Sequence, residues 1–347
     1  MKKVCLILMI SCTGHIMMAQ NNKMPDPFLT KSLSGAMIKM VEAQTSGGNI
    51  AVESVATGQE RVEVFIGAAN TNNNPLSKEE IQKRLDELYN LTINVEGNTL
   101  TAIAKNKRQN MNWKKSLSIS FKFFVDKNVA THLTTSGGNI NLKEISGEQK
   151  ITTSGGNLVI DHVKGKLKGT TSGGNISVDY SENDIDLTTS GGNINASKCN
   201  GTIKLVTSGG NVMVDNMDGA VVATTSGGDV SATDTKGDLE ASTSGGNVDV
   251  KGLSGNLTAG TSGGDIKVVI KEPGKFINIK NSGGKIELEL LAGKGYDMDL
   301  TADKIKTDNL VNFSGKAGDD EILGKINGGG TAVKVNASSG KIVLTFK

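Results

Sequence analysis

The pentapeptide TSGGN stands at Thr135, Thr153, Thr171, Thr189 and Thr207, each copy 18 residues after the one before. A strict period of that length admits few folds, because every unit must be one supersecondary element that buries its apolar face on its neighbours. The serines extend the series through Ser136, Ser154, Ser172, Ser190, Ser208, Ser226, Ser244 and Ser262, then reach Ser282 after a step of 20. An earlier copy, TSGGNIAV, begins at Thr45. About half a period after each SGG lies a second turn marker, at Gly147, Gly165, Asn183, Gly201, Gly219, Gly237 and Gly255. Each unit therefore reads as two short strands joined by tight turns.

Columns of the aligned units show which positions face inward. The residue after the Asn or Asp is always aliphatic (Ile140, Leu158, Ile176, Ile194, Val212, Val230, Val248, Ile266), and the position two further on repeats the pattern. The second half alternates in the same way, with Leu167, Ile185, Ile203, Val221, Leu239 and Leu257 in one column. Lys, Asp, Ser, Asn and Thr fill the intervening positions, so each strand has one buried and one wet face. An antiparallel meander of such strands would need a second layer, and the repeats contain no helix to supply it. A coil of one unit per turn places its own two strands face to face. The expected fold is all-β, a β-solenoid of the β-helix or β-roll kind, with 18-residue coils of two short strands and one capping helix near the N-terminus.

The SGGN corners are the candidate structural residues: Gly137, Gly138 and Asn139, then Gly155, Gly156 and Asn157, Gly173, Gly174 and Asn175, Gly191, Gly192 and Asn193, and Gly209, Gly210 and Asn211. Glycine reaches positive φ at little steric cost, which predicts that Gly-Gly turns the corner by that means. Asparagine beside it is expected to hydrogen-bond its own backbone or its counterpart in the next coil. The outward Thr, Ser, Lys and Asp columns are expected to form wide polar faces that could bind a repetitive polymer such as a glycan; the simpler reading is a solvated sheet surface.

The ends depart from the period. Residues 1–19, with Lys2, Lys3, an apolar run from Val4 to Ile10 and Ala19 before Gln20, have the layout of a secretory signal peptide. A second reading takes Met9 to Cys12 as a lipoprotein box with a lipid anchor at Cys12. Either predicts export to the cell envelope, in the periplasm, at the outer membrane or on the cell surface. Residues 20–30 read as a flexible segment, and 31–130 as N-terminal strands with a capping helix. That helix is PLSKEEIQKRLDELY, with Ser77 as N-cap, Glu80 completing a capping box, and Ile81, Leu85 and Leu88 on one face. NVEGNTLTAIA reads as a hairpin about Gly97 and Asn98. The regular repeats are assigned to 131–284 and a C-terminal cap of irregular coils to 285–347.

Chemistry-bearing residues are few. Aromatics make up 3% of the 347 residues, and removing Lys2 and Lys3 leaves 36 basic against 36 acidic side chains, which gives nucleic acid no electrostatic hold. No later stretch has the roughly 20 apolar residues of a membrane-spanning helix. His132 and His162 read as solvated surface histidines. Cys199 shares a column with Ile145, Val163, Met217 and Leu253 and reads as a small core hydrophobe. Zinc spacing, GxSxG and HExxH are absent, and the calcium-binding β-roll pattern fails because the residue two beyond SGG faces the core. The expectation is no catalytic residue, no cofactor and no metal.

The TSGGN-aliphatic repeat, the SKEEIQKRL insertion, the NWKKSLSISF strand and the tail DKIKTD, NGGG and ASSGKI together resemble a bacterial family of β-strand-repeat proteins of unknown function, the putative-adhesin family, over about Lys31 to Phe346. The resemblance implies a β-solenoid exported to the cell envelope and carries no catalytic or binding residues. The expected function is a non-enzymatic adhesin or surface scaffold with a glycan or an envelope protein as partner. The alternative is a periplasmic or membrane-associated component of envelope maintenance or stress response acting through protein contacts. A glycan-active enzyme is the third reading, for which Tyr180 is almost the sole aromatic that the repeats offer.

Overall fold

The structure is a computed structural model that describes residues 26–69, 76–107 and 115–347. The signal peptide read over 1–19, the lipidation reading at Cys12 and Trp113 of the NWKKSLSISF strand lie outside these residues.

Parallel pairing at a one-coil offset decides between the two architectures. Leu158 lies opposite Ile176 and Ile176 opposite Ile194; on the other side of the coil Leu167 lies opposite Ile185 and Ile185 opposite Ile203. One unit thus makes one full turn, and the chain is a β-solenoid. The two inward columns are fully buried, and because adjacent strands lie about 4.8 Å apart, each aliphatic side chain touches its equivalents above and below. From Val212 onward the pairing runs unbroken round one bend, so strands lengthen to Val212–Thr224 and Val230–Ser242. The two-residue insertion in KEPGKF shifts the register to Leu257 opposite Ile277.

The N-terminal region holds β1 (Leu29–Ser32), β2 (Met40–Thr45), β3 (Ile50–Ser54), β4 (Arg61–Ala68), α1 (Lys78–Leu88), β5 (Tyr89–Glu96), β6 (Thr99–Asn106) and β7 (Leu117–Val125). The regular coils then start with β8 (Ala130–Thr135) and β9 (Ile140–Lys143). Its stacking order differs from its chain order. β2 and β3 form a regular coil that pairs with β8 and β9, Val41 opposite Thr131 and Ile50 opposite Ile140. β6 and β7 form the next coil outward, with Val41 opposite Leu100 and Ile50 opposite Phe121. Residues 40–54, expected within the N-terminal cap, therefore belong to the repeat stack.

The cap proper is antiparallel. β5 covers the edge of β6, β4 covers β7 and β1 covers β4, which closes parallel edges that would otherwise template further pairing. The hairpin at Gly97 forms between β5 and β6. α1 begins as the sequence indicates, Ser77 Oγ accepting from the Glu80 N–H at 3.3 Å, and buries Ile81 and Leu85. The expected capping box is not closed, because the Glu80 carboxylate accepts from Arg84 Nε at 2.6 Å instead.

The C-terminal end is threaded in the same way. The last strand, Thr331–Phe346, lies between Ile266–Leu290 on one side and Tyr296–Thr307 on the other, all parallel. Glu321–Ile326 and Phe313–Ala317 then close the end with antiparallel pairs.

Candidate functional site

The SGGN residues of successive coils form one continuous corner, and its chemistry differs from the expectation in one respect. Gly284 of the last corner, NSGGK, has φ of 108°, but in the 18-residue repeats neither glycine of the SGG has φ in the left-handed region. The second is required by close approach instead. A Cβ at Gly192 would lie 2.0 Å from the Gly174 carbonyl oxygen, and the same holds at Gly138, Gly156, Gly174 and Gly210, at 1.9 to 2.1 Å. At the first glycine, Gly191 for example, the nearest backbone atom would be an ordinary 3.6 Å away. Positive φ belongs to the other marker, from Gly147 (126°) to Gly255 (150°), where Asn183 adopts 88°.

Polar ladders run along this corner. Asn139 Oδ1 accepts from the Asn157 N–H, Asn157 Oδ1 from Asn175, Asn175 Oδ1 from Asn193 and Asn193 Oδ1 from Asn211, each at 2.8 Å. Asp229, Asn247 and Asp265 continue the series. The threonine before each SGG, from Thr135 to Thr261, faces inward and is buried. Thr189 Oγ1 donates to the Gly174 oxygen at 2.8 Å and accepts from the Gly192 N–H at 3.3 Å, which satisfies two backbone groups of the buried corner. At the corner NSGGK, Asn281 takes over this role with its Nδ2 on the Gly264 oxygen.

A third column was not read from the sequence. Glu144, His162, Tyr180, Lys198, Asn216 and Asp234, at 18-residue intervals, all adopt φ of 47° to 56°. The left-handed turn follows directly on the short strand and leaves these side chains stacked along an exposed rim. Non-glycine residues carry a cost of about 1 kcal/mol each there. The rings of His162 and Tyr180 stack at 4.7 Å, and the Lys198 ammonium sits 4.6 Å from the Tyr180 centroid and bonds its hydroxyl, which raises the lysine's affinity for its proton. With His162 against its ring and Lys198 drawn over it, Tyr180 offers no free platform to a sugar ring. His162 also bonds the Asp161 carboxylate at 2.6 Å.

Cys199 is buried at 1% exposure, its column position filled as the sequence indicates, and burial pushes the thiol up to about 11. The thiolate is therefore scarce at pH 8 in the folded protein. A disulfide reagent at that pH is expected to label Cys199 at the rate of unfolding, rising sharply at the denaturation midpoint; rapid labelling of the native chain would contradict the packing.

A candidate groove lies near the N-terminal end, where outward residues of β4, β7, β3 and β9 meet. Register sets Phe65 opposite Ser120 and places Ala51 between Lys122 and Asn141. The small Ala51 and Ser120 floor a groove of about 440 Å³ walled by Phe65 and by Asn49, Glu53, Lys122, Asn141 and Lys143. The Lys122 ammonium lies 3.3 Å from Glu53, and Arg61 lies 3.6 Å over the neighbouring Phe124 ring. An apolar ring beside amides and one carboxylate can take a saccharide, the sugar's C–H face on Phe65 and its hydroxyls on Asn49, Asn141 and Glu53. Hydrolysis of a glycosidic bond calls for a pair of carboxylates, and Glu53 is the one acid lining the groove among the described residues. This groove is not legible in the sequence, because its four strands are neighbours only through the out-of-order stacking of β7 and β3.

Residues 182–345 match a family model described as Toastrack DUF4097. The match spans the later repeats and the C-terminal coils. Two solved structures align over most of the chain. One is described as a "putative cell adhesion protein" from Clostridium sporogenes ATCC 15579, at 10% identity and a TM-score of 0.20, covering 92% of this chain and 98% of the other. The second, a "putative adhesin" from Bacteroides fragilis NCTC 9343, has 14% identity and a TM-score of 0.24, covering 91% of this chain and 96% of the other. No curated protein matches the chain.

Proposed function

We propose that this chain is a non-enzymatic, exported β-solenoid of the cell envelope, a surface scaffold of the adhesin type whose groove near the N-terminal end takes a saccharide. The groove carries the reading. The residues of the repeat are already engaged in building the coil, the Asn and Thr side chains in backbone ladders and the second glycine in a close backbone approach. Phe65, Glu53 and Asn141 stand outside that framework and converge on an open cleft. The Toastrack match and the absence, among the described residues, of a helix long and apolar enough to cross a membrane are compatible with a scaffold held at the cell surface.

Protease shaving of intact cells, with mass spectrometry of the released repeat peptides, tests the location. Protection of all repeat peptides would end the surface reading. For the groove, the full chain is screened on a glycan array, and the best binder is titrated against Phe65→Ala, with a weakening of roughly tenfold expected from loss of the ring contact. Equal binding by wild type and variant would remove the groove as the site.

A further inference from the structure

The Asn ladder does not end in asparagine. Beyond Asp265 its last rungs are lysines. Lys285 on Gly284–Leu290 lies directly opposite Lys341 on Thr331–Phe346, and Lys341 lies opposite Lys304 on Tyr296–Thr307. Lys306, two positions on, points to the same face. The Gly340 position continues the glycine stack, a Cβ there meeting the Gly284 oxygen at 2.1 Å, so the lysines occupy the place of the Asn side chains at a corner of the same kind.

Like charges directly opposite on neighbouring strands oppose pairing, and here three adjacent strands carry them. Lys285 is answered by Glu287, which also draws Lys267 at 3.8 Å. Among the described residues no carboxylate lies within ion-pair distance of Lys304, Lys306 or Lys341. Lys341 is half-buried, and its proton affinity falls because of Lys306 first, then burial, then Lys285 and Lys304. Glu287 is the acid that also acts on Lys341; in the chain, Asp303 stands beside Lys304, and Asp319 and Asp320 accept through their carbonyls from Ile305 and Ala302 on the outer edge of the last coil. Ser338 and Ser339 lie exposed at the turn that precedes Gly340.

We propose that this corner, around Lys341 with Lys285, Lys304 and Lys306, is an anion site that takes a phosphate group, free or carried on a lipid headgroup. Several ammonium donors on three adjacent strands of one corner suit a multivalent oxyanion with three terminal oxygens, whereas a carboxylate has two oxygens to offer. The bound charge also offsets the mutual repulsion of the lysines, so binding and folding are linked. The site is far along the stack from the saccharide groove and independent of it.

The test uses the full chain in two arms, thermal unfolding in inorganic phosphate against potassium chloride of equal ionic strength, and flotation with phosphatidylcholine vesicles with and without phosphatidic acid. Wild type is expected to be stabilised by phosphate beyond the chloride control, and Lys341→Gln with Lys304→Gln to lose affinity by about tenfold or more. The double variant without ligand is expected to melt no lower than wild type, since it relieves repulsion, and Lys341→Gln alone serves if the double variant does not fold. Asp303→Asn is expected to tighten binding. Flotation dependent on phosphatidic acid without a response to free phosphate identifies the headgroup as the source. No response in either arm, or an equal response from the lysine variants, overturns the proposal.

Discussion

Gly192→Ala is expected to destabilise the solenoid by roughly 4 kcal/mol or more, whereas Gly191→Ala, one residue away, is expected to change stability by about 1 kcal/mol at most. The two glycines share a corner and a sequence motif, and both lie outside the left-handed region. They differ in what a methyl group would meet. At Gly192 it would sit 2.0 Å from the Gly174 oxygen, 2.5 Å from its carbonyl carbon and 2.8 Å from the Asn175 nitrogen, all backbone atoms of the coil below. Those atoms are held by the Asn and Thr ladders, so relief requires the coils to part, and parting them breaks the Thr189 bonds and the parallel pairing on both sides. At Gly191 the nearest atom would be the Ser172 oxygen at 3.6 Å, which is ordinary contact. Denaturant midpoints of the two variants measure the difference. Equal effects would mean that the glycines serve chain flexibility rather than close approach.

Removal of residues 331–347 is expected to unfold everything from Leu291 to the new end, not merely to shorten the stack by one rung. The final strand is the sole parallel bridge by which Tyr296–Thr307 joins the stack among the described pairings, because Tyr296–Thr307 pairs otherwise only with Glu321–Ile326. Without it the apolar residues Tyr296, Met298, Leu300 and Ile305 lose the column of Val333, Val335 and Ile342 against which they are buried. The strands Ile266–Asn281 and Gly284–Leu290 would then present a bare parallel edge, so self-association of the truncated chain is expected as well. Limited proteolysis followed by mass spectrometry locates the loss. Resistance of residues 291–330 in the truncated chain would show simple sequential stacking, and cuts spread from Leu291 onward the interleaved order. The earlier repeats are expected to persist, since each coil depends chiefly on its immediate neighbours.

Much of this protein is written in its period. The aliphatic columns of Ile140, Leu158 and Ile176 and of Leu167, Ile185 and Ile203 are enough to predict two buried faces turned toward each other, and the 18-residue spacing predicts the coil. Such patterns are legible because burial of one face per strand is a requirement that recurs in the same form in every unit. The Thr45 copy of TSGGN also announced a coil. Its place in the stack was not legible, since it packs against the corner at Asn139, 90 residues away, after an excursion through β4 to β7. Which free edge a coil finds is a property of the assembled sheet, and that choice alone brings Phe65, Ser120, Ala51 and Asn141 together in the groove and Lys285, Lys341 and Lys304 into one column. The role of the second SGG glycine was likewise decided by tertiary structure, because an identical sequence serves a positive-φ turn or a close approach, and only the distance to the coil below distinguishes the two.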